Sequence, residues 1–212
     1  MSDGSVYDGD YFLRGRETSK SLYTHYRWLP DLTKPMVAAM VSHLDIKPSH
    51  MILDFGCARG YVVRAFRELG YSAFGYDISQ WALENADEVV KKNMWLIANW
   101  STVMLASFDW VIAKDVLEHV ECAADIVLDL MAVARKGVFA VVPLADHDGG
   151  HYVVREYEED VTHIHRLTLA SWVRFFTKEG WSVEASYRVP GVKCNYAQYK
   201  MGNGFITARR IK

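Results

Sequence analysis

Two carboxylates and two glycines carry the clearest chemical signal in the chain. The run ILDFGCARG (52–60) closes an apolar stretch and opens an amphipathic one, with Gly56 and Gly60 four residues apart. A glycine after a strand lets the backbone turn without a Cβ clash, and a second lets a helix begin close to whatever lies on the loop. Strand, turn and helix in this register form a nucleoside-cofactor site. A dinucleotide site wants G-x-G-x-x-G, whose N–H groups hold a pyrophosphate. Here Ala58 interrupts that pattern and Tyr61 stands at its third glycine. A triphosphate loop needs Gly-Lys-Ser/Thr, and none follows. Asp54 opposes a pyrophosphate but suits a cofactor carrying an ammonium and a sulfonium, as S-adenosylmethionine does. Asp77, in GYDIS, ends the next apolar run 17 residues past Gly60. A carboxylate there accepts both ribose hydroxyls.

Histidines supply the candidates for proton chemistry. His119 reads as the start of a helix at the mouth of a strand. His163 and His165 alternate, so an extended backbone puts both on one side. Each is a candidate base or substrate contact for a hydroxyl acceptor. His147, Asp148, His151, His163 and His165 also have metal-ligand spacings. The first pair of histidines sits on a Gly-Gly loop without fixed geometry, so no metal is expected. Glu158, Glu159 and Asp160 read as a solvated loop face.

These residues need a scaffold. Pro35 suits a helix's first turn, followed by Val37, Met40, Val41 and Leu44 on one face. Strands are expected at 51–56, 72–78, 93–98, 108–116 and 137–144. Between them lie helices that bury Val62, Val63, Phe66 and Leu69, then Ala82, Ala86, Val89 and Val90, and, from Glu118 to Ala134, Ile126, Val127, Leu130 and Met131. Ser79 and Thr168 are helix caps. Residues 145–166 read as a long functional loop, and strands at 181–189 and 205–211 finish the chain. The pattern predicts an α/β, Rossmann-like doubly wound sheet of about seven strands, mostly parallel, with an antiparallel edge. Ligands in such sheets bind at the carboxyl ends of the strands.

The combined pattern resembles the class I S-adenosylmethionine-dependent methyltransferases, in particular the small-molecule branch that includes quinone-biosynthesis enzymes. ILDFGCARG is similar to the family's first motif and GYDIS to its second. FDWVIAKDVLEHV resembles its fourth-strand signature, and THIHRLTLASWVRFFTKEGW its late histidine, helix and Gly-aromatic turn. The resemblance covers residues 35–211. It implies that Asp54, Gly56, Cys57 and Gly60 wrap the methionine end. Asp77 would bind ribose, Ile78 would pack on adenine, and Asn99 and Trp100 would contact adenine. Ala113 and Lys114 would line the methionine through their backbone, with the lysine side chain turned away from the sulfonium.

Residues 1–34 match only loosely and read as a cap or arm. They hold Tyr7, Tyr11, Phe12, Tyr23, Tyr26 and Trp28, in a chain that is 13% aromatic. Tyr11 and Tyr23 are candidate lid residues, and Arg27 a candidate for a substrate carboxylate or phosphate. The expected function is methyl transfer to a small molecule, most simply at oxygen, with histidine assistance.

Composition narrows the field. The 212 residues are 50% hydrophobic and 24% charged, with net charge −2, so a core forms and no nucleic-acid surface is implied. No apolar run reaches a membrane span. The acidic N-terminus does not read as a signal peptide, and three scattered cysteines suggest a reducing, cytoplasmic setting. Other readings are a protein or nucleic-acid methyltransferase, a nicotinamide oxidoreductase and an inactive cofactor-binding module. AKDVLEH stands where amino-methylating DNA enzymes carry Pro-Pro-aromatic.

Overall fold

The computed structural model describes residues 4–97 and 108–211. Among these, seven strands form one sheet in the order β3-β2-β1-β4-β5-β7-β6. They are β1 (Met51–Phe55), β2 (Ser72–Asp77), β3 (Met94–Leu96), β4 (Phe108–Lys114), β5 (Ala134–Pro143), β6 (Trp181–Ser186) and β7 (Asn203–Arg210). The first five pair in parallel, whereas β7 runs antiparallel to both β5 and β6. The predicted doubly wound sheet and its antiparallel edge are both present. The central strands are apolar on both faces, as a sheet covered on two sides requires; Ile52, Val111, Ile112 and Val138 are fully buried.

The helices are α1 (Gly9–Leu13), α2 (Gly15–Thr18), α3 (Pro30–Leu44), α4 (Tyr61–Glu68), α5 (Gln80–Glu84), α6 (Ala123–Val133) and α7 (Leu169–Phe176). One face of the sheet packs on Val37, Met40, Leu44, Val63 and Phe66 from α3 and α4. The other packs on Val127, Leu130, Met131, Trp172 and Phe176 from α6 and α7. Ser79 and Thr168 cap α5 and α7 as expected, their side chains accepting from the N–H groups of Ala82 and Ser171.

Four elements differ from the sequence reading. Helix α3 begins at Pro30, with Pro35 inside it. Pro30 already supplies a fixed φ at the first position, where no N–H is needed. The predicted helix 118–134 is a 3-10 turn, Leu117–His119, and then α6 from Ala123. The Glu118 carbonyl accepts from Ile164 and His165 N–H, which takes it out of a helical ladder. Helix α5 ends at Glu84, and Val89 is 60% exposed, because the Asn85 and Asp87 side chains bond locally to backbone and close a turn. Leu69 is exposed beyond the end of α4.

Candidate active site

The carboxyl ends of β1, β2 and β4 open into a cleft of about 840 Å3, its mouth included. Phe55, Gly56, Ala58, Asp77, Ile78, Ile97, Asp115, Val116, His119, Val120 and Ile126 line it from the sheet side. Tyr7, Tyr11, Phe12 and Tyr23 close it from the arm.

The first turn is built as the glycines predict. Gly56 has φ +77°, and a Cβ there would lie 2.4 Å from Val116 Cγ2. Gly60 has φ +79°, and its Cβ position is 2.4 Å from Met94 Sδ, so this glycine brings α4 against β3 rather than against a ligand. Ala58 also adopts positive φ, held there because its N–H donates to Asp77 Oδ2 at 2.6 Å. Ser79 N–H donates to the other carboxylate oxygen at 2.8 Å. Asp77, which lines the cleft, is thus held by backbone donors at both oxygens, and each oxygen retains acceptor capacity. Burial pushes its carboxyl up, and the N–H bonds oppose that.

Asp54 lies one layer behind, buried at the end of β1. Burial pushes its carboxyl up to about 8, with Lys114 drawing it down and Asp77 adding to the rise. Cys57 and Ala113 are buried, and neither they nor Gly60 and Lys114 line the cleft. From the end of β4 it is Asp115 and Val116 that reach it. Asp115 takes a left-handed turn, φ +54°, and binds both Lys114 and Lys193, the latter at 2.9 Å. The two cations hold its carboxyl far below the usual range against burial. Lys114 is therefore paired with Asp115, and its charge still reaches Asp54. Asn99 and Trp100 lie outside the described residues. Ile78 lines the cleft.

The arm is fastened at several points. Ser79 Oγ donates to the Tyr7 carbonyl at 2.6 Å, and Arg59 donates to the Tyr26 carbonyl at 3.0 Å. Phe12 stacks on Trp81 with centroids 5.5 Å apart. Tyr11 donates its hydroxyl to Asp160 at 3.0 Å, in contact across 149 residues of sequence. Asp160 also accepts from the Thr162 N–H and hydroxyl, so it is buried rather than part of a solvated acidic face. That correction has a plain cause: three donors compensate one carboxylate. Arg27 is exposed and does not line the cleft. The 145–166 segment is not structureless, since it contains a bridge, Ala145 to Tyr152, and a 3-10 turn, Arg155–Glu159.

The histidines separate. His119 lines the cleft, its ring 4.7 Å from that of His163 and 6.0 Å from Tyr7. Its Nδ1 lies 2.8 Å from Thr162 Oγ1. The Thr162 proton goes to Asp160 at 2.5 Å, so Oγ1 accepts from His119 Nδ1–H. His163 Nδ1 lies 2.9 Å from the Tyr157 carbonyl, which only accepts. Both imidazoles therefore keep an Nε2 lone pair. Burial, reinforced by His163, pulls His119 down to about 4, and burial lowers His163 as well. His165 turns away: its Nε2 meets the Val120 carbonyl at 2.6 Å and its ring packs on Trp172. His147 and His151 are exposed beside Asp146 and Glu158, and neither joins His163 in a cluster of possible ligands among the described residues. Among the described residues, the group that does converge is Glu118, His119 and His163. Sequence reading did not single out Asp115 and Glu118, although both stand in the fourth-strand signature before His119, nor Lys193, which no local pattern marks.

A methyltransferase-domain family matches residues 27–186, most of the chain. No curated protein sequence is significantly similar to it. Among solved structures, the methyltransferase bound to the Trm112 activator of Haloferax volcanii aligns with TM-score 0.68 and 14% identity, over 86% of this chain and 92% of that one. An S-adenosylmethionine-dependent methyltransferase from Archaeoglobus fulgidus aligns with TM-score 0.65 and 14% identity, over 86% and 95%. The plantazolicin methyltransferase BamL, crystallised with a triazolic desmethylPZN analog and S-adenosylhomocysteine, aligns with TM-score 0.63 and 13% identity, over 84% and 83%. At such identities these likenesses show a shared fold, and the family match carries the function. The chain belongs to the methyltransferase-domain family and is a class I S-adenosylmethionine-dependent methyltransferase.

Proposed function

We propose that this enzyme methylates an oxygen of a small-molecule acceptor held between the strand ends and the aromatic arm. The cleft suits the cofactor chemically. Ile78, Ile97, Val116 and Ile126 offer an apolar slot for a base, with the Asp77 carboxylate beside it for ribose hydroxyls. Asp54 stands behind the Gly56 turn as the counter-charge for an ammonium. When bound, S-adenosylmethionine supplies a methyl group already activated on a sulfonium.

The protein's task is then placement and water exclusion. Holding an acceptor in line at attack distance contributes ~7–11 kcal/mol of barrier reduction. Tyr7, Tyr11, Phe12 and Tyr23 form an apolar roof whose polar tip, the Tyr11 hydroxyl, is tied to Asp160. We assign Tyr11 and Tyr23 to the lid. Arg27 has no role in this reading, because it faces solvent. His119 carries the oxygen preference: it is neutral, its tautomer is fixed through Thr162, and its remaining lone pair belongs to a ring on the cleft wall. Such a lone pair is available to assist at an acceptor hydroxyl. His163 supports it from behind, and His165 is a structural contact.

No described helix is long and apolar enough to cross a membrane. Cys57, Cys122 and Cys194 are unpaired thiols, which supports the cytoplasmic setting proposed from the sequence. The direct test is transfer of labelled methyl into a metabolite extract, with the product identified by mass spectrometry. An O-methylated small molecule supports this reading. Label confined to protein or nucleic acid would overturn it.

A further inference from the structure

Glu118 is 1% exposed, and its Oε2 has no hydrogen-bond partner among the described residues. A carboxylate removed from water without compensation is costly, so such a group is protonated or meets a cation. One ligand atom from each of Glu118, His119 and His163 lies within 4.8 Å of the other two. Both histidines have Nδ1 engaged, His119 through Thr162 to Asp160 and His163 through the Tyr157 carbonyl, and both keep an Nε2 lone pair. Metal-binding histidines are oriented in this way, by a carbonyl or carboxylate on the far nitrogen. Two neutral imidazoles and one carboxylate form the donor set of zinc hydrolytic sites and of facial-triad sites for other first-row metals, which leave coordination positions open.

From this arrangement we propose that Glu118, His119 and His163 bind one first-row divalent metal ion, whose open side faces the acceptor part of the cleft through His119. The inference rests on the oxygen-acceptor reading and sharpens it. The ion takes the acceptor hydroxyl as a ligand and acidifies it, as zinc acidifies bound water. The hydroxyl proton leaves to solvent at the cleft mouth. The oxygen then forms its bond to the methyl carbon as the carbon–sulfur bond breaks, and that electron pair remains on sulfur. The two histidines assist by holding the ion rather than by carrying the proton.

The test uses full-length protein freed of metal by a chelator and titrated with Co2+, read by visible absorption, with Zn2+ competition followed calorimetrically. One equivalent per chain is expected. Glu118→Gln and His163→Gln should each weaken binding at least tenfold, about 1.4 kcal/mol. The double variant His147→Ala, His151→Ala removes the exposed histidines and should leave the affinity unchanged. Thermal melting in chelator checks that each variant folds, and Glu118→Gln should fold at least as well as the parent. Binding of S-adenosylhomocysteine, measured separately, should persist without metal. Absence of a stoichiometric Co2+ complex, equal affinity in the Glu118 and His163 variants, or loss of binding in the loop double variant overturns the proposal. If cofactor binding survives that result, the methyl-transfer reading stands without the metal. If stoichiometric metal binds but chelator leaves transfer to a hydroxyl acceptor unchanged, the assigned role is wrong.

Discussion

The two halves of the cleft are built by different rules. The half proposed for the cofactor is local: Gly56, Ala58, Asp77 and Ser79 belong to two successive strand-to-helix turns and hold one another through backbone N–H groups. The acceptor half is assembled over distance. Tyr11 meets Asp160 across 149 residues, His119 meets Thr162 across 43, and Lys193 crosses from the segment before β7 to Asp115. Local geometry gives a fixed site for a shared cofactor. Distant side chains give a surface that can be changed one segment at a time.

This contrast can be broken most severely at Gly56. Gly56→Ala places a Cβ 2.4 Å from Val116 at φ +77°. It should cost about 2–3 kcal/mol in chemical denaturation and abolish cofactor binding with it. An unaffected midpoint would mean that the turn is not rigid. Asp77→Ala comes next: cofactor affinity should fall more than tenfold, about 1.4 kcal/mol, by calorimetry. An unchanged affinity would remove the ribose anchor from the cofactor half.

The pH dependence sharpens the comparison. Burial raises folded Asp54 to about 8 from the ordinary 3.8. Its contribution to apo stability is therefore fully present below about 3.8 and is lost as pH rises towards about 8. A bound ammonium favours the ionised form, so cofactor binding should release a proton, and affinity should climb with pH before levelling above about 8. The slope is at most about tenfold per pH unit. Calorimetry in buffers of different ionisation enthalpy measures the proton, and Asp54→Asn should flatten the profile; a flat profile in the parent would place the ammonium elsewhere.

Effects on the acceptor half should be smaller and of another kind. Tyr11→Phe removes one of three donors to buried Asp160 and should cost about 1–2 kcal/mol of stability. It should raise the acceptor KM while cofactor affinity changes less than threefold; the reverse pattern would put the arm in the cofactor half. Arg27→Ala should change neither constant, because the side chain faces solvent. A substantial KM effect there would reinstate it as a substrate contact.

Much of the fold was legible because its signals are short-range. Strand-sized apolar runs, capping Ser79 and Thr168, and glycines at positive φ each act within a few residues. Element ends were less legible where long-range bonds intervene: the Glu118 carbonyl, taken by Ile164 and His165, shortens the expected helix before α6. The site divides in the same way. Gly56 and Asp77 could be located from strand ends alone, and Ile78 from the family resemblance. Periodicity placed His163 and His165 together, yet a hydrogen bond to Val120 turns His165 out and leaves His163 against His119.

The amino-acid sequence by itself determined the parallel sheet, the turn at Gly56, the carboxylate at the end of β2 and the cofactor they suit, because backbone conformation and hydrophobic periodicity are local properties. Only the tertiary structure decided that the aromatic arm roofs the cleft, that Asp160 is buried beneath Tyr11, and that Glu118, His119 and His163 converge. Those contacts arise when the sheet brings distant segments together, and their energies come from desolvation and from partners that no sequence spacing specifies.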